Sequence, residues 1–371
     1  KKAKKKIRKI KKENPKAKII VTGCSAQINP LIYKKMNEVD LILGNEEKFN
    51  FEKYLNLLNS NSTGMAVNDI MSVKETANHF IKGFDKKARA FIQIQTGCDH
   101  RCTFCIIPFA RGNSRSVPIT KICKQIKILL EKGFKEIVLT GVDLTSYGND
   151  LYGKPKLGNL VKEILKKIKN LDRLRLSSLD AIEIDKYLID IIRYEERLMP
   201  HLHLSIQSGD NIILKRMKRR HLREDVINLC NNLKKFRSNI VFGADIIAGF
   251  PTETDRMFLN SKKILTECDL TYLHIFPYSN RPNTPASRMP QLSNKIVKER
   301  AGLLRTEANK ILQTFLKKQV NKKHKILFES EREGHSENFI PIKTVTKHRV
   351  GEIITVKGKN IVDGKLISQV M

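Results

Sequence analysis

Three cysteines stand at a CxxxCxxC spacing, Cys98, Cys102 and Cys105 in the run GCDHRCTFC. Thiolates this close together suit a soft metal. A structural zinc site takes four ligands, usually as two separated pairs. Here three thiols stand together and no fourth cysteine follows nearby. Three thiolates on a four-iron cube would leave one iron open to a substrate or cofactor. His100 lies between the first two cysteines, without the spacing of a ligand pair. An iron–sulfur cluster is the reading this spacing favours; zinc, or thiols of an ordinary core, is the other. Cys24, in a Gly-Cys-Ser turn, reads on its own as a buried thiol.

Such a cluster needs a scaffold to hold it. Short apolar runs recur at 91–95, 136–140, 173–177, 201–206, 240–248 and 271–276, with amphipathic helical patterns between them, such as 118–132, 158–170 and 254–268. Six β/α units in series imply a parallel sheet with helices outside. Six is fewer than the eight of a closed barrel, and by the same logic chemistry belongs at the C-terminal ends of the strands. Polar or small residues recur there: Gly141 and Asp143 after the second strand, Ser177 and Ser178 after the third, Gln207 and Ser208 after the fourth, Gly249 after the fifth and Tyr278 after the sixth. Each alone reads as a turn former; their recurrence makes them candidates for cofactor binding. Gly141 would let a ligand approach the backbone closely.

Residues 1–12 hold nine basic residues and no acid. They read either as a polybasic arm or, with Ile7 and Ile10 at helical spacing, as a basic amphipathic helix. A strand is expected over 16–22, helices over 31–37 and 46–58, a loop over 59–68 and a charged connector over 74–89. After the sixth β/α unit a long helix spans 293–318. The tail from about 319 breaks into strand-like KILFES, FIPIKTV, EIITVKG and GKLISQV, which predicts a small antiparallel barrel. The resulting domains are 1–75, 76–292, 293–318 as a connecting helix, and 319–371.

The 371 residues carry a net charge of +32, a field that favours a polyanion, with nucleic acid foremost. A general bias towards Lys, Ile and Asn is the plainer account. Seven cysteines, three of them clustered, are not the framework of a secreted protein. Cys123 lies on an apolar helical stripe, and Cys230 and Cys268 in helical segments, so these three read as core. No stretch is long and apolar enough for a membrane span, and no signal peptide is visible, so a reducing cytoplasm is expected.

The three-cysteine motif, with Phe104 before its last cysteine, resembles the radical-SAM signature. VTGCSAQ at 21–27, QTGCDHRCTFCIIPFARGNSRS at 95–116, LHLSIQSGD at 202–210, MKRRHLRED at 217–225, FGADIIAGFPTET at 242–254 and FPYSNRPNTPASRMP at 276–290 resemble the radical-SAM methylthiotransferases. Among these the chain is most similar to the MtaB-type branch, which acts on N6-threonylcarbamoyladenosine in tRNA. The resemblance implies an open six-unit α/β partial barrel, a partial N-terminal α/β domain and a C-terminal RNA-binding barrel of the TRAM kind. It implies a [4Fe-4S] cluster on Cys98, Cys102 and Cys105, and S-adenosyl-L-methionine as cofactor, with Asp143 able to take the methionine amino group. Cys24 matches the last of three cysteines that bind an auxiliary cluster. The other two would precede residue 1, so this chain alone is expected to cleave the cofactor without adding sulfur.

The implied partners are tRNA and a reductant protein such as flavodoxin or ferredoxin, with no DNA and no membrane. Arg111, Arg115, Lys218, Arg219, Arg220 and Arg281 are the expected RNA contacts near the mouth; a solvated basic face is the plainer reading. In the tail, Lys317, Lys318, Lys322, Lys323, Lys347 and Arg349 offer a second basic surface, and deleting it is expected to weaken RNA binding while sparing the cluster. The other readings are a methylthiotransferase for another tRNA adenosine or a ribosomal protein, and a tRNA-binding remnant.

Overall fold

The computed structural model describes residues 2–59, 63–73 and 88–370. The connector expected at 74–89 therefore lies almost wholly outside the described residues. The chain divides into two compact units. One comprises residues 1–79, 96–101 and 105–115; the other comprises 80–95, 102–104 and 116–371.

In the first unit the basic N-terminal segment is a helix, Lys2–Glu13. Its apolar side decides this: Ile7 is buried with Ile19, Tyr33, Met36, Val39 and Ile42, so the lysines are left on the wet faces. The expected first strand is only Ile20–Val21, and it pairs in parallel with Leu41–Leu43, which pairs in turn with Gly64–Ala66. The last two strands were not anticipated. Leu41–Leu43 is buried throughout and so lacks the alternation that marks a half-buried strand. Gly64–Ala66 falls inside the stretch expected as loop. The helix expected at 31–37 is Leu31–Lys34, and that at 46–58 is 3-10 helical, Glu47–Asn59, broken at Asn50.

The second unit contains the six β/α units. The strands are Arg89–Gln93, Glu136–Thr140, Arg173–Leu176 continued by Ser178–Leu179, His201–Gln207, Val241–Ala248 and Leu270–Pro277. All pairings among them are parallel. The third strand is interrupted at Ser177. Its first part pairs back to the second strand and its second part pairs forward to the fourth. Ile92, Ile137, Leu139, Leu174, Leu202, Leu204, Ala244 and Ile246 point outward into one core with Ile122, Ile126, Leu160, Ile164, Val226, Leu233 and Ile264 of the covering helices. Cys123, Cys230 and Cys268 belong to that core, as expected. This is the open six-unit α/β partial barrel.

The long helix is Asn294–Lys317. Beyond it, Lys323–Phe328, Glu333–Ser336, Pro341–Thr344, Ile353–Val362 and Lys365–Val370 close into a five-stranded barrel. Its second strand, EGHS, is too short and polar to stand out in the sequence.

This small barrel covers the N-terminal ends of the partial-barrel strands. Phe339, left-handed at φ 68°, stacks on His201 at 5.0 Å and on His335 at 4.5 Å. The guanidinium carbons of Arg175 and Arg89 lie 4.9 and 5.3 Å from its ring centre. Arg173 donates to the carbonyls of Lys325 (2.9 Å) and His335 (3.3 Å). Arg175 makes a two-pronged contact with the buried Glu136 (2.8 and 3.2 Å) and reaches the Glu337 carbonyl at 3.2 Å. Among the described residues, no helix is long and apolar enough to cross a membrane.

Candidate active site

The cluster loop is shaped before it is liganded. Gly97 has φ 74°, and a Cβ there would lie 1.9 Å from the Asn113 carbonyl oxygen, so only glycine serves. The Cys98 amide donates to the Gly112 carbonyl at 3.1 Å, and Asp99 accepts from the Ser114 amide at 2.9 Å. Further along, Thr103 is tied to the loop after the fourth strand. Its amide donates to Met217 and its hydroxyl to Arg216, while its carbonyl accepts from the Ala286 amide. Phe104 packs edge-on to Phe250 at 6.3 Å, within a small cluster that includes Met217 and Tyr278.

Cys98, Cys102 and Cys105 are half-buried and none of the seven cysteines is in a disulfide, whereas Cys123, Cys230 and Cys268 are buried. Donors point at two of the motif sulfurs. The Ile107 amide lies 3.4 Å from Cys105 Sγ, and Arg219 Nη1 lies 3.8 Å from Cys102 Sγ. N–H donors and a cation beside metal-binding sulfurs orient them and offset their charge once liganded. The donor set therefore fits an iron–sulfur cluster.

Arg219 belongs to a charged chain that sequence reasoning missed. It contacts Asp180 at 2.7 Å and the Ser205 carbonyl at 2.8 Å. Arg220 pairs with Asp180 and Glu183. The Thr145 hydroxyl lies 3.0 Å from Glu183 and 3.2 Å from Asp143, whose other oxygen accepts from Ser146 at 2.6 Å. Asp143, Glu183, Arg220, Asp180 and Arg219 thus run as one network from the second strand's loop to Cys102. Burial alone would raise the Asp180 carboxyl; His221, Arg219 and Arg220 outweigh it and hold the pKa at about 2. The buried Gln95 sets the second strand's turn, its side-chain oxygen accepting from the amides of Val142 (3.0 Å) and Asp143 (2.9 Å). No spacing rule marks Gln95, Asp180 or Glu183; they could be found only as polar residues close to strand ends.

The other expected positions divide. Gly141 lies in the turn that Gln95 holds. Ser177 is half-buried, Ser178 exposed. Gln207 is left-handed at φ 70°, beside a register shift in the fourth strand, a strained backbone of the sort found at functional sites. The Tyr278 hydroxyl is buried without a hydrogen-bond partner among the described residues, and burial raises its pKa. Such an orphan suits a ligand that brings its own partner.

At four expected positions the structure gives the residue a role within the fold. Ser208 is fully buried and its hydroxyl joins Ser261 (3.1 Å) and the Asp210 amide (3.2 Å), so it builds the turn. Gly249 is glycine because φ is 73° and a Cβ would meet Val297 at 2.8 Å. Arg115 is buried and donates to the carbonyls of Val73 and Arg111 at 3.0 Å each, which holds the chain here. Arg219 is turned inward, its side chain only 9% exposed. Lys218, itself left-handed at φ 59°, turns the chain so that this happens. Lys218, Arg220 and Arg281 remain exposed and Arg111 half-buried.

Cys24 opens the helix Cys24–Ile28 after Gly23 at φ 99° and is half-buried, not buried as its turn alone suggests. Asn45 Nδ2 lies 3.8 Å from its sulfur and donates to the Ala110 carbonyl at 2.7 Å. Nearby, burial first and Arg111 second push the Lys48 pKa down.

The radical SAM superfamily model matches residues 92–265. A Rickettsia prowazekii protein, "Threonylcarbamoyladenosine tRNA methylthiotransferase MtaB", is 53% identical over 98% of this chain and 86% of its own length. An Aquifex aeolicus protein of the same name is 40% identical over 93% and 84%. A Clostridium tetani "tRNA-2-methylthio-N(6)-dimethylallyladenosine synthase" is 32% identical over 94% and 79%. Members of the superfamily work with a [4Fe-4S] cluster and S-adenosylmethionine. With the partial barrel, the three-thiol loop and this degree of identity together, the chain belongs to the MtaB-type radical-SAM methylthiotransferases and is a radical-SAM enzyme.

Proposed function

We propose that this chain adds a methylthio group to C2 of N6-threonylcarbamoyladenosine in tRNA, next to the anticodon. The observation that carries this is the 53% identity, across 98% of the chain, with a protein of that name. Cys98, Cys102 and Cys105 would hold the catalytic [4Fe-4S] cluster. When bound, the cluster would supply the electron for reductive cleavage of S-adenosylmethionine.

The chain's own residues bind and orient. Arg219 steadies Cys102 from the side of Asp180. Asp143, whose two oxygens lie against the Thr145 and Ser146 hydroxyls, is the acid that would meet a cationic amino group such as that of the cofactor. The Tyr278 hydroxyl is a second donor with no other use among the described residues. Lys218, Arg220, Arg281 and Arg111 would take phosphates and position the RNA without reading its bases. Cys24 would be one ligand of the auxiliary cluster that provides the sulfur. The reductant would be a flavodoxin or ferredoxin, and the setting the cytoplasm.

Two measurements test this. Anaerobic reconstitution should give visible charge-transfer absorption that the triple Cys98, Cys102 and Cys105→Ala variant lacks; tight zinc with iron excluded would sink the cluster assignment. Mass spectrometry of tRNA nucleosides, from a strain deleted for the gene and complemented with its full reading frame, should find 2-methylthio-N6-threonylcarbamoyladenosine restored. A methylthio group found only on dimethylallyladenosine would redirect the substrate.

A further inference from the structure

Inside the partial barrel, apart from the network above, one carboxylate lies between two histidines. His203, Asp245 and His274 stand on the fourth, fifth and sixth strands. Their neighbours Leu202, Leu204, Ala244, Ile246 and Ile275 point outward into the core, so these three point inward. His203 Nε2 is 2.9 Å from Asp245 Oδ1, and His274 Nδ1 is 3.2 Å from the same oxygen. The register explains the convergence. Asp245 lies opposite His274, and His203 lies opposite Gly243, where a Cβ would sit 2.6 Å from His203 Nδ1.

The protons follow from the partners. Burial would raise the Asp245 carboxyl, but the two imidazoles outweigh it and hold its pKa below the ordinary value. An ionised carboxylate only accepts hydrogen bonds, so both rings donate to it. A neutral His274 then carries its proton on Nδ1 and presents a lone pair at Nε2. Its side chain is 63% exposed, against 23% for Asp245 and 11% for His203. The ladder therefore ends in an acceptor open to incoming molecules, oriented from behind by a carboxylate. Such a group takes an N–H or O–H.

We propose that His274 Nε2 accepts a hydrogen bond from the N6 substituent of the adenosine, and so favours a carbamoylated adenosine over one bearing a hydrocarbon. A threonylcarbamoyl group offers a ureido N–H and a hydroxyl; a dimethylallyl group adds neither. Asp245 and His203 are positioning residues that fix the ring and its tautomer. The proposal rests on the substrate reading given above and names the side chain that enforces it.

The test measures binding of the cluster-loaded protein to three synthetic anticodon stem-loops, carrying adenosine, N6-dimethylallyladenosine or N6-threonylcarbamoyladenosine. The wild type should prefer the threonylcarbamoyl loop. His274→Ala should lower the ratio of threonylcarbamoyl to dimethylallyl affinity about tenfold, the worth of one well-placed hydrogen bond. His274→Gln, whose Oε1 falls near the lost Nε2, should recover part of that ratio. An unchanged ratio in His274→Ala overturns this proposal and leaves the substrate reading standing. A wild type without preference overturns both.

Discussion

The two ends of the partial barrel are made by the same six strands, yet their charged residues live differently. At the C-terminal end, Asp143, Glu183, Arg220 and Asp180 are linked to one another through loops, and Arg220 stays 43% exposed. At the N-terminal end, Glu136, Arg173 and Arg175 are almost entirely buried, with side-chain exposures of 2 to 4%. Both arginines also donate to carbonyls of the C-terminal barrel. One end is left open for ligands and the other is closed by protein. The C-terminal barrel is thus a floor as well as a basic surface. Deleting it would open this end to water, exposing Glu136, Arg173, Arg175 and the ring of His201, so its loss would fall on the stability of the partial barrel as well as on RNA binding.

The comparison can be broken at several strengths. Removing residues 319–371 should have the largest effect, a marked loss of stability of the partial barrel, checked by circular dichroism and denaturant titration; an unchanged unfolding midpoint for the remainder would refute the floor. Next, Glu136→Ala should cost about 3–5 kcal/mol in urea unfolding, because it leaves buried cations unpaired. Phe339→Ala should cost about 2 kcal/mol, less than the loss for a wholly buried phenylalanine, since this ring is half-buried.

A pH scan probes the same end. His201 is buried, and burial first, then the charge of Arg175, hold its pKa well below 6.5. The unfolded chain takes up this proton near pH 6.5 and the folded chain does not, so stability should fall as pH drops below about 6.5. His201→Phe should flatten that part of the thermal-melt profile. The smallest effect belongs to the open end: Arg220→Ala should change stability by less than about 1 kcal/mol, while weakening tRNA binding at low salt.

Much of this was legible in the sequence. The six barrel strands were found within two residues at either end, because short β-rich apolar runs alternate with helical patterns and little else packs that way. The three thiols stand out by spacing as the proposed cluster ligands. Arg219 did not, because Lys218, Arg219 and Arg220 look alike in sequence, and only a left-handed turn at Lys218 decides which points inward. The RLRL run of the third strand has the alternation of a surface strand; its arginines are buried only because another domain arrives to accept their hydrogen bonds. Asp180 and Glu183 act through partners far away in the chain, which no local pattern records.

The closed floor also sets an order of events. Phe339 and the carbonyls that satisfy Arg173 and Arg175 come after every partial-barrel strand in the chain. On the ribosome, where domains fold as they emerge, the six strands are made first and wait with their arginines still hydrated. This end becomes sealed only when the strands of the small barrel have cleared the exit tunnel. A cluster installed before that moment would sit in a partial barrel open at both ends, so its safe loading belongs after the small barrel has formed.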